Sequence, residues 1–212
     1  MDINNNSQKY HLLLFLIFFG FYVWSAIKPY DIEVWFMEVA PAVVGYIILL
    51  ITYKKFPLTT LSYFWICFFA IILVIGGHYT YARMPLFEYF KEPPFNATRN
   101  HFDRFGHFFQ GVMPAIVTRE LLIRTSPLKP GKWLFWIVLA IPLAISACYE
   151  LIEWYAAASG SQDGMAFVGA QGDIWDAQKD MGLCLCGAFT VQVFFNCWQN
   201  KQIRKLTGRA DI

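Results

Sequence analysis

Residues 60–83 have the sequence TLSYFWICFFAIILVIGGHYTYAR, in which no Asp, Glu, Lys or Arg occurs before residue 83. A helix that crosses a lipid bilayer needs about 20 consecutive, mostly apolar residues. This run therefore predicts a membrane-spanning helix. Its last residues, GGHYTYAR, are markedly more polar than its centre. The sequence thus predicts that polar side chains gather where this helix leaves the membrane.

The composition of the whole chain indicates an integral membrane protein. Its 212 residues are 57% hydrophobic and 19% aromatic, and only 15% are charged, whereas a soluble domain carries about 25% charged residues. The many aromatic residues suit belts at the two membrane interfaces. The chain has no basic cluster with interleaved aromatics, so we expect no nucleic-acid partner. The five cysteines all lie in apolar runs and include no C-x-x-C pair, which favours packing roles over a disulfide or zinc framework.

Six apolar runs are long enough to span the bilayer, and together they predict one all-α membrane domain over residues 1–212. The predicted spans are residues 10–27, 34–53, 60–82, 105–123, 132–157 and 177–198, and a loop is predicted at 158–172. With both termini in the cytoplasm, 11 of the 17 Lys and Arg residues face inward, in accord with the positive-inside rule. With the same orientation, 12 of the 15 acidic residues lie toward the outer end. Either an outward-facing functional cavity or solvated acidic loops would explain this asymmetry.

Four predicted spans bring polar residues to this outer end. At about 100° per residue, Asp103 and His107 share a helix face, and so do Glu150 and Glu153. A stripe of three acids opens the last span, namely Asp173, Asp176 and Asp180. Cys184 and Gly187 continue that stripe, which predicts that a neighbouring helix approaches closely beneath the acids.

Carboxylates that share one face near a membrane repel one another and need compensation. Arg83 and Arg104 can supply it, and so can a divalent cation. A His nitrogen with several carboxylates suits zinc, manganese or iron, and carboxylates with water suit magnesium or calcium. The predicted metal ligands are His107, Glu150, Glu153, Asp173, Asp176 and Asp180. The predicted catalytic residues are Asp103, His107, Glu150 and Glu153. The residues predicted to contact substrate or support the ligands are His78, Tyr79, Arg83, Arg104, Gln110 and Trp175.

Each of these residues also has a purely structural interpretation. Glu150 and Glu153 can pair with Arg83 and Arg104 and lock helices together, whereas Asp173 can be an N-cap and Asp176 an acid in the first turn of a helix. His78 follows two glycines and can be a histidine packed between helices. At the inner end, we expect Arg119, Glu120 and Arg124 to form a solvated or headgroup-bound rim.

Three segments resemble the YjdF family of bacterial inner-membrane proteins: DRFGHFFQGVMPAIVTRELLIRTSPLKPGKW at 103–133, AISACYELIEW at 144–154 and GAQGDIWDAQKDM at 169–181. This resemblance implies an inner-membrane location and no particular activity. The pattern is also distantly similar to VanZ-like proteins, whose founding member is linked to glycopeptide resistance. Residues that match VanZ-like motifs are Asp103, His107, Phe108, Glu150, Asp180 and Gly187. Arg104, Glu153 and Cys184 replace the Lys, Gln and Asn of those motifs.

Three functions fit these observations. The first is a hydrolase or transferase that uses a divalent metal such as Zn, Mn or Mg at the outer face of the membrane, on a lipid or envelope precursor. The second is a non-catalytic binder of lipid or glycan headgroups. The third is an ion- or proton-coupled transporter. A one-sided pocket favours the first two, and a continuous polar path favours the third.

Overall fold

The computed structural model describes residues 5–95, 97–158 and 171–209, and all of their regular elements are helices. In chain order the helices are α1 (Asn5–Ser25), α2 (Ile32–Thr52), α3 (Thr60–Tyr79), α4 (Pro85–Tyr89), α5 (Phe102–Thr125), α6 (Lys132–Ala158), α7 (Asp176–Phe194) and α8 (Asn196–Thr207). The predicted all-α fold is confirmed. Most of the loop predicted at 158–172 lies outside the described residues.

Three of these helices, α2, α3 and α6, are long and apolar enough to cross a membrane. The pair α7 and α8 passes the same test as one span, but it bends by 67° around Phe195. The apolar run ends there, and α8 is rich in Asn, Gln, Lys and Arg. The count of six spans and the cytoplasmic position of both termini stay predictions, and the outer and inner ends of the bundle are named after this predicted orientation.

Helix α5 lies at the centre of the bundle although it is one of the less hydrophobic helices. It packs against α3, α6 and α7, while α1 and α2 pack against α3. Many polar side chains of α5 are therefore buried against protein and not against lipid. This arrangement explains how a helix with Asp103, His107, Arg119 and Glu120 can lie inside a membrane protein.

Helices α5 and α7 approach so closely that glycine is required on both. A Cβ atom at Gly111 would collide with the backbone carbonyl of Cys184, and one at Gly187 would collide with that of Phe108. The close approach predicted beneath the acidic stripe is confirmed. It brings the first turns of α5 and α7 together, which is where the acids lie.

The turn that ends α3 places a tyrosine under the outer end of the bundle. Thr80 and Tyr81 adopt left-handed backbone angles, φ 53° and 51°, and the Tyr81 N–H donates to Gly76 O. The Tyr81 ring lies against Gly76, where a Cβ atom would collide with it. The side chain therefore folds back into the bundle, where it is buried.

The inner ends of α3 and α5 are joined through Glu120. Its carboxylate accepts hydrogen bonds from the Thr59 N–H (2.9 Å), the Thr59 hydroxyl (2.7 Å) and the Ser62 hydroxyl (2.6 Å), and it pairs with Arg124 (2.7 Å). Glu120 is 0% exposed, and Arg119 is 2% exposed. The predicted solvated rim is therefore wrong: these residues are buried within the protein, and Glu120 serves to fix α3 to α5.

Candidate functional site

The outer end of the bundle has an upper layer of acids that is compensated by cations. Arg99 donates to both carboxylate oxygens of Asp176, and its second contact measures 3.3 Å. Arg104 and Lys179 both contact Asp173 Oδ2, the latter at 2.6 Å. Asp176 lies in the first turn of α7, in agreement with its structural interpretation, and its main cation is Arg99. The N-cap position of α7 is Trp175, whose N–H donates to Asp173 Oδ1 at 3.1 Å.

Asn100 lies just before α5 and holds the segments around the upper layer in place. It is 0% exposed, and its backbone N–H and carbonyl form reciprocal hydrogen bonds with the Gln171 side chain, both 2.9 Å. Its side chain donates to Met84 O and to Glu88 Oε1 and accepts from the Phe102 N–H. One buried amide therefore joins the α3–α5 connection to the segment that precedes α7.

A second layer of acids lies deeper and surrounds His107. Ligand atoms of Asp103, His107 and Asp180, one from each residue, all lie within 4.8 Å of one another. His107 Nε2 is 3.5 Å from Asp103 Oδ1 and 3.5 Å from Glu150 Oε1. Asp180 is 2% exposed, and Asp103 and His107 are also buried. Helices α5, α6 and α7 thus bring four of the predicted site residues together.

Several polar atoms in this deeper layer have no hydrogen-bond partner among the described residues. They are His107 Nδ1, Gln110 Oε1, Glu150 Oε1 and Asp180 Oδ1. Across the ranges that the structure describes, no Arg or Lys nitrogen lies within 4.0 Å of Glu38, Glu150, Glu153 or Asp180. Buried polar groups are normally paired, so each such atom indicates strain or an unseen ligand. Within the described residues, the deeper layer therefore has ligand atoms to spare, and its contact with a cation is that of Asp103 Oδ2 with Arg99 at 3.7 Å.

A small cavity adjoins this layer on the side of α2. It encloses about 20 Å³, which is room for a single water molecule. Asp103, His107, Gln110 and Glu153 line it. Its far wall holds Tyr81, Tyr149 and Glu38, and for Glu38 the sequence leaves open a role in this wall or at the backbone bent by Pro41. The Tyr149 hydroxyl donates to Glu38 Oε2 at 2.8 Å. The available sequence signal for Glu38 was its position inside an otherwise apolar helix, because such a charge faces protein and not lipid.

Other predicted residues lie outside this group. His78 Nδ1 is 2.9 Å from Ser25 O, and the His78 ring packs on Trp24 and Tyr79. The Arg83 guanidinium lies 4.0 Å from the centre of the Tyr30 ring. The Trp175 side chain is largely exposed. Arg99, which was not among the predicted residues, joins Arg104 at the acids, and its side chain lies 3.7 Å from Asp103 Oδ2.

Outside the spans, the pKa values of two acids follow their partners. The Lys179 ammonium, with the Trp175 N–H, lowers the pKa of Asp173 to about 2. The hydrogen bond from Asn100 lowers the pKa of Glu88 below its ordinary value. Both acids are therefore charged at neutral pH, and Asp173 binds the cations of the upper layer.

The chemistry of the deeper layer fits a divalent transition metal. Its donors are an imidazole nitrogen and carboxylate oxygens from three helices, a combination that suits zinc, manganese or iron. Catalytic metal sites keep an open position beside such ligands. The water-sized cavity next to Asp103 and His107 offers that position.

Comparison with known proteins covers nearly the whole chain. A family described as predicted membrane protein (DUF2238) matches residues 10–201, which include α2 to α7. The inner membrane protein YjdF of Escherichia coli (strain K12) is 42% identical over 207 residues, 96% of this chain and 95% of that protein. No solved structure matches the chain. The chain belongs to the DUF2238 family and is an inner-membrane protein with several apolar helices.

Proposed function

We propose that this protein is a divalent-metal-assisted hydrolase or transferase that acts on a lipid or envelope precursor at the periplasmic face of the inner membrane. The observation that carries the proposal is the buried group of Asp103, His107 and Asp180, whose ligand atoms lie within 4.8 Å of one another while Asp180 Oδ1 and His107 Nδ1 have no partner within the described structure. Acids inside a membrane protein are costly unless something compensates them.

The ligands that we propose are Asp103, His107 and Asp180, with Glu150 as a fourth. Glu150 Oε1 lies 3.5 Å from His107 Nε2 and has no hydrogen bond among the described residues. Asp173 and Asp176 contact arginines instead. We therefore assign these two acids to the upper layer, where they hold the guanidinium groups in place.

A cation bound by this set would act as a Lewis acid toward a phosphoryl or acyl oxygen of the substrate. Glu153 lies on the wall of the adjoining cavity and has no Lys or Arg nitrogen within 4.0 Å among the described residues. Such a carboxylate is suited to accept a proton from an attacking water or hydroxyl group. Glu38 and Tyr149 close the opposite wall through their hydrogen bond and exclude bulk solvent from that side.

The inner end of the bundle weighs against transport. A transporter needs polar groups along a path to the other side of the membrane. Glu120 is the buried acid nearest the inner end, and its oxygens are fully used by Thr59, Ser62 and Arg124. The acids of the deeper layer all lie toward the outer end, and a one-sided pocket favours an enzyme or a binder.

The test is metal analysis of detergent-purified protein after reconstitution with zinc, manganese or magnesium. The site variant combines Asp180→Asn with Glu150→Gln. The matched control is Asp173→Asn, which removes a carboxylate that lies just before α7 and outside the proposed ligand set. We expect near-stoichiometric metal in the wild type and the control, and loss of metal in the site variant at an unchanged thermal unfolding midpoint. Wild-type protein without metal under all three conditions would refute the proposal.

A wild type that binds metal is then assayed for release of phosphate or fatty acid from lipid substrates in detergent. Turnover that is lost in the site variant and kept in Asp173→Asn supports an enzyme. Metal binding without turnover of either bond type would assign the site to headgroup binding, which is the alternative function.

A further inference from the structure

An apolar groove lies directly beneath the water-sized cavity. It has a volume of about 340 Å³, within the range of small-molecule sites, which measure roughly 300–1,000 Å³. Its walls come from α2, α3, α5 and α6, and nearly all of the side chains that line it are apolar. Ordered water needs two to four polar partners, and this lining offers few polar side chains, among them Gln110 and Thr118. The groove therefore suits a hydrocarbon.

The groove and the polar cavity adjoin each other. Four residues line both of them, and these are Phe69, Leu73, Gln110 and Tyr149. Along α5 the groove extends from Gln110 to Thr118, a distance of about 12 Å at 1.5 Å per residue. Half of a hydrocarbon core about 30 Å thick measures about 15 Å. A lipid chain in one leaflet is thus well matched to the length of the groove.

The space exists because three of the four α2 residues that line it are small and because α2 packs chiefly against α3. Pro41, Ala42 and Gly45 provide the α2 wall, and a Cβ atom at Gly45 would meet nothing within 4 Å. The hydrogen bond between Tyr149 and Glu38 joins α2 to α6 only at the outer end of the groove. Pro41 of α2 and Ile145 of α6, which both line the groove, are exposed at the surface of the bundle, so the groove can be reached from the side there.

We propose that this groove holds the hydrocarbon chain of a membrane lipid whose polar headgroup lies against the acid-lined cavity and places one oxygen atom in its water-sized space. This inference rests on the proposed function and names its substrate class, a lipid that enters sideways from the outer leaflet. The polar cavity and the apolar groove beneath it match the polar headgroup and the apolar chain of a lipid. The ligand atoms of Asp103 and His107 meet the headgroup, and the apolar walls contact the chain.

The test uses the full chain in nanodiscs of phosphatidylethanolamine and phosphatidylglycerol. These are doped with a phosphatidylglycerol that carries a photoreactive diazirine, either at the end of one acyl chain or next to the headgroup. After illumination, mass spectrometry of peptides identifies the labelled residues. We expect the chain-end probe to label Val117 and Ile145, and the headgroup probe to label Tyr149 and Glu153. Equal labelling of these residues and of lipid-facing residues such as Phe36 and Val44 would overturn the inference.

Filling the groove provides the second arm. We expect Gly45→Leu and Ala42→Phe to lower the labelling of Val117 roughly tenfold, equivalent to about 1.4 kcal/mol of lost binding. The matched control is Ala140→Phe, which fills a separate apolar groove between α6 and α7 lined by Leu143 and Phe189. It should leave labelling at Val117 unchanged. Unchanged labelling in the two filled variants would overturn the inference. A wild-type dimer that dissociates in these variants would also overturn it, because the groove would then bind a second copy of the chain.

Metal content is measured on the same samples and separates the two proposals. Metal bound normally in Gly45→Leu together with loss of lipid labelling supports both. Metal bound while the groove shows no specific labelling in the wild type refutes the lipid inference alone. Specific labelling of the groove in a wild type that binds no metal refutes the proposed metal chemistry alone.

Discussion

Arg99 donates hydrogen bonds to both carboxylate oxygens of Asp176 and so joins the segment before α5 to the first turn of α7. Both side chains are buried. The same guanidinium lies 3.7 Å from Asp103 Oδ2, while Asp103 Oδ1 faces His107 at 3.5 Å. Arg99 therefore separates the compensated upper layer from the deeper layer and orients the acid that connects them.

Replacement of Arg99 by Met should destabilise the fold strongly. It removes the cation and leaves the Asp176 carboxylate buried, and breaking a buried pair in this way costs about 3–5 kcal/mol. The measurement is thermal or denaturant unfolding of the purified protein in detergent. Adding Asp176→Asn to Arg99→Met should recover part of the loss. In the control Arg83→Met, the lost contact is with the exposed Tyr30 ring, so a change below about 1 kcal/mol is expected. Equal losses in the two single variants would contradict this assignment.

Replacement of Gly187 by Ala should separate α5 from α7. The added Cβ atom meets the Phe108 carbonyl, and overpacking of this kind costs about 1–3 kcal/mol. Because Asp180 lies on the same helix face two turns earlier, metal binding should weaken as well. Gly182→Ala is the control on the same helix, since a Cβ atom there meets nothing within 4 Å. It should be neutral or stabilise the protein by up to about 1 kcal/mol. A loss in Gly182→Ala as large as that in Gly187→Ala would argue against the close approach.

Those parts of the site that depend on one helix were predictable from sequence. Asp103 and His107 are four residues apart, so helical geometry alone places them on one face. The stripe from Asp180 to Gly187 likewise predicted a close neighbour, and the fold confirms it. The long apolar runs of α2, α3 and α6 predicted that these segments are helices long enough to cross a membrane, because a helix that faces lipid must be apolar along its whole length.

The parts that depend on packing between distant segments were not predictable from one sequence. Arg99 and Asp176 are 77 residues apart, and Glu38 and Tyr149 are 111 residues apart. Either arginine near the outer end, Arg83 or Arg104, seemed an equally good partner for the acids. The choice of Arg99 depends on the turn that Asn100 fixes, which directs the preceding side chain into the bundle.

Replacement of Glu120 by Gln should destabilise the protein without affecting the site. The buried carboxylate accepts from Thr59 and Ser62 and pairs with Arg124, so the loss of its charge should cost about 3 kcal/mol or more. Metal content should remain that of the wild type, because this pair lies at the opposite end of the bundle. The control Glu33→Gln changes an exposed acid in the first turn of α2 and should alter stability by less than about 0.5 kcal/mol. Loss of metal in a folded Glu120→Gln protein would show that the two ends are coupled.

The pH dependence of the upper layer follows from Asp173, whose pKa is lowered from 3.8 to about 2 chiefly by Lys179. A depressed pKa means that the folded state favours the charged form. The stabilisation from this acid is therefore present above about pH 4 and is lost as the pH falls through about 2. Replacement of Lys179 by Met should raise the pKa of Asp173 toward its ordinary value and shift this loss to higher pH. The measurement is the carboxyl chemical shift of Asp173 in protein labelled with ¹³C. The control Lys91→Met removes the partner of Glu88 and should leave Asp173 unchanged. A pKa of Asp173 that does not move in Lys179→Met would show that the Trp175 N–H and Arg104 hold the charge without Lys179.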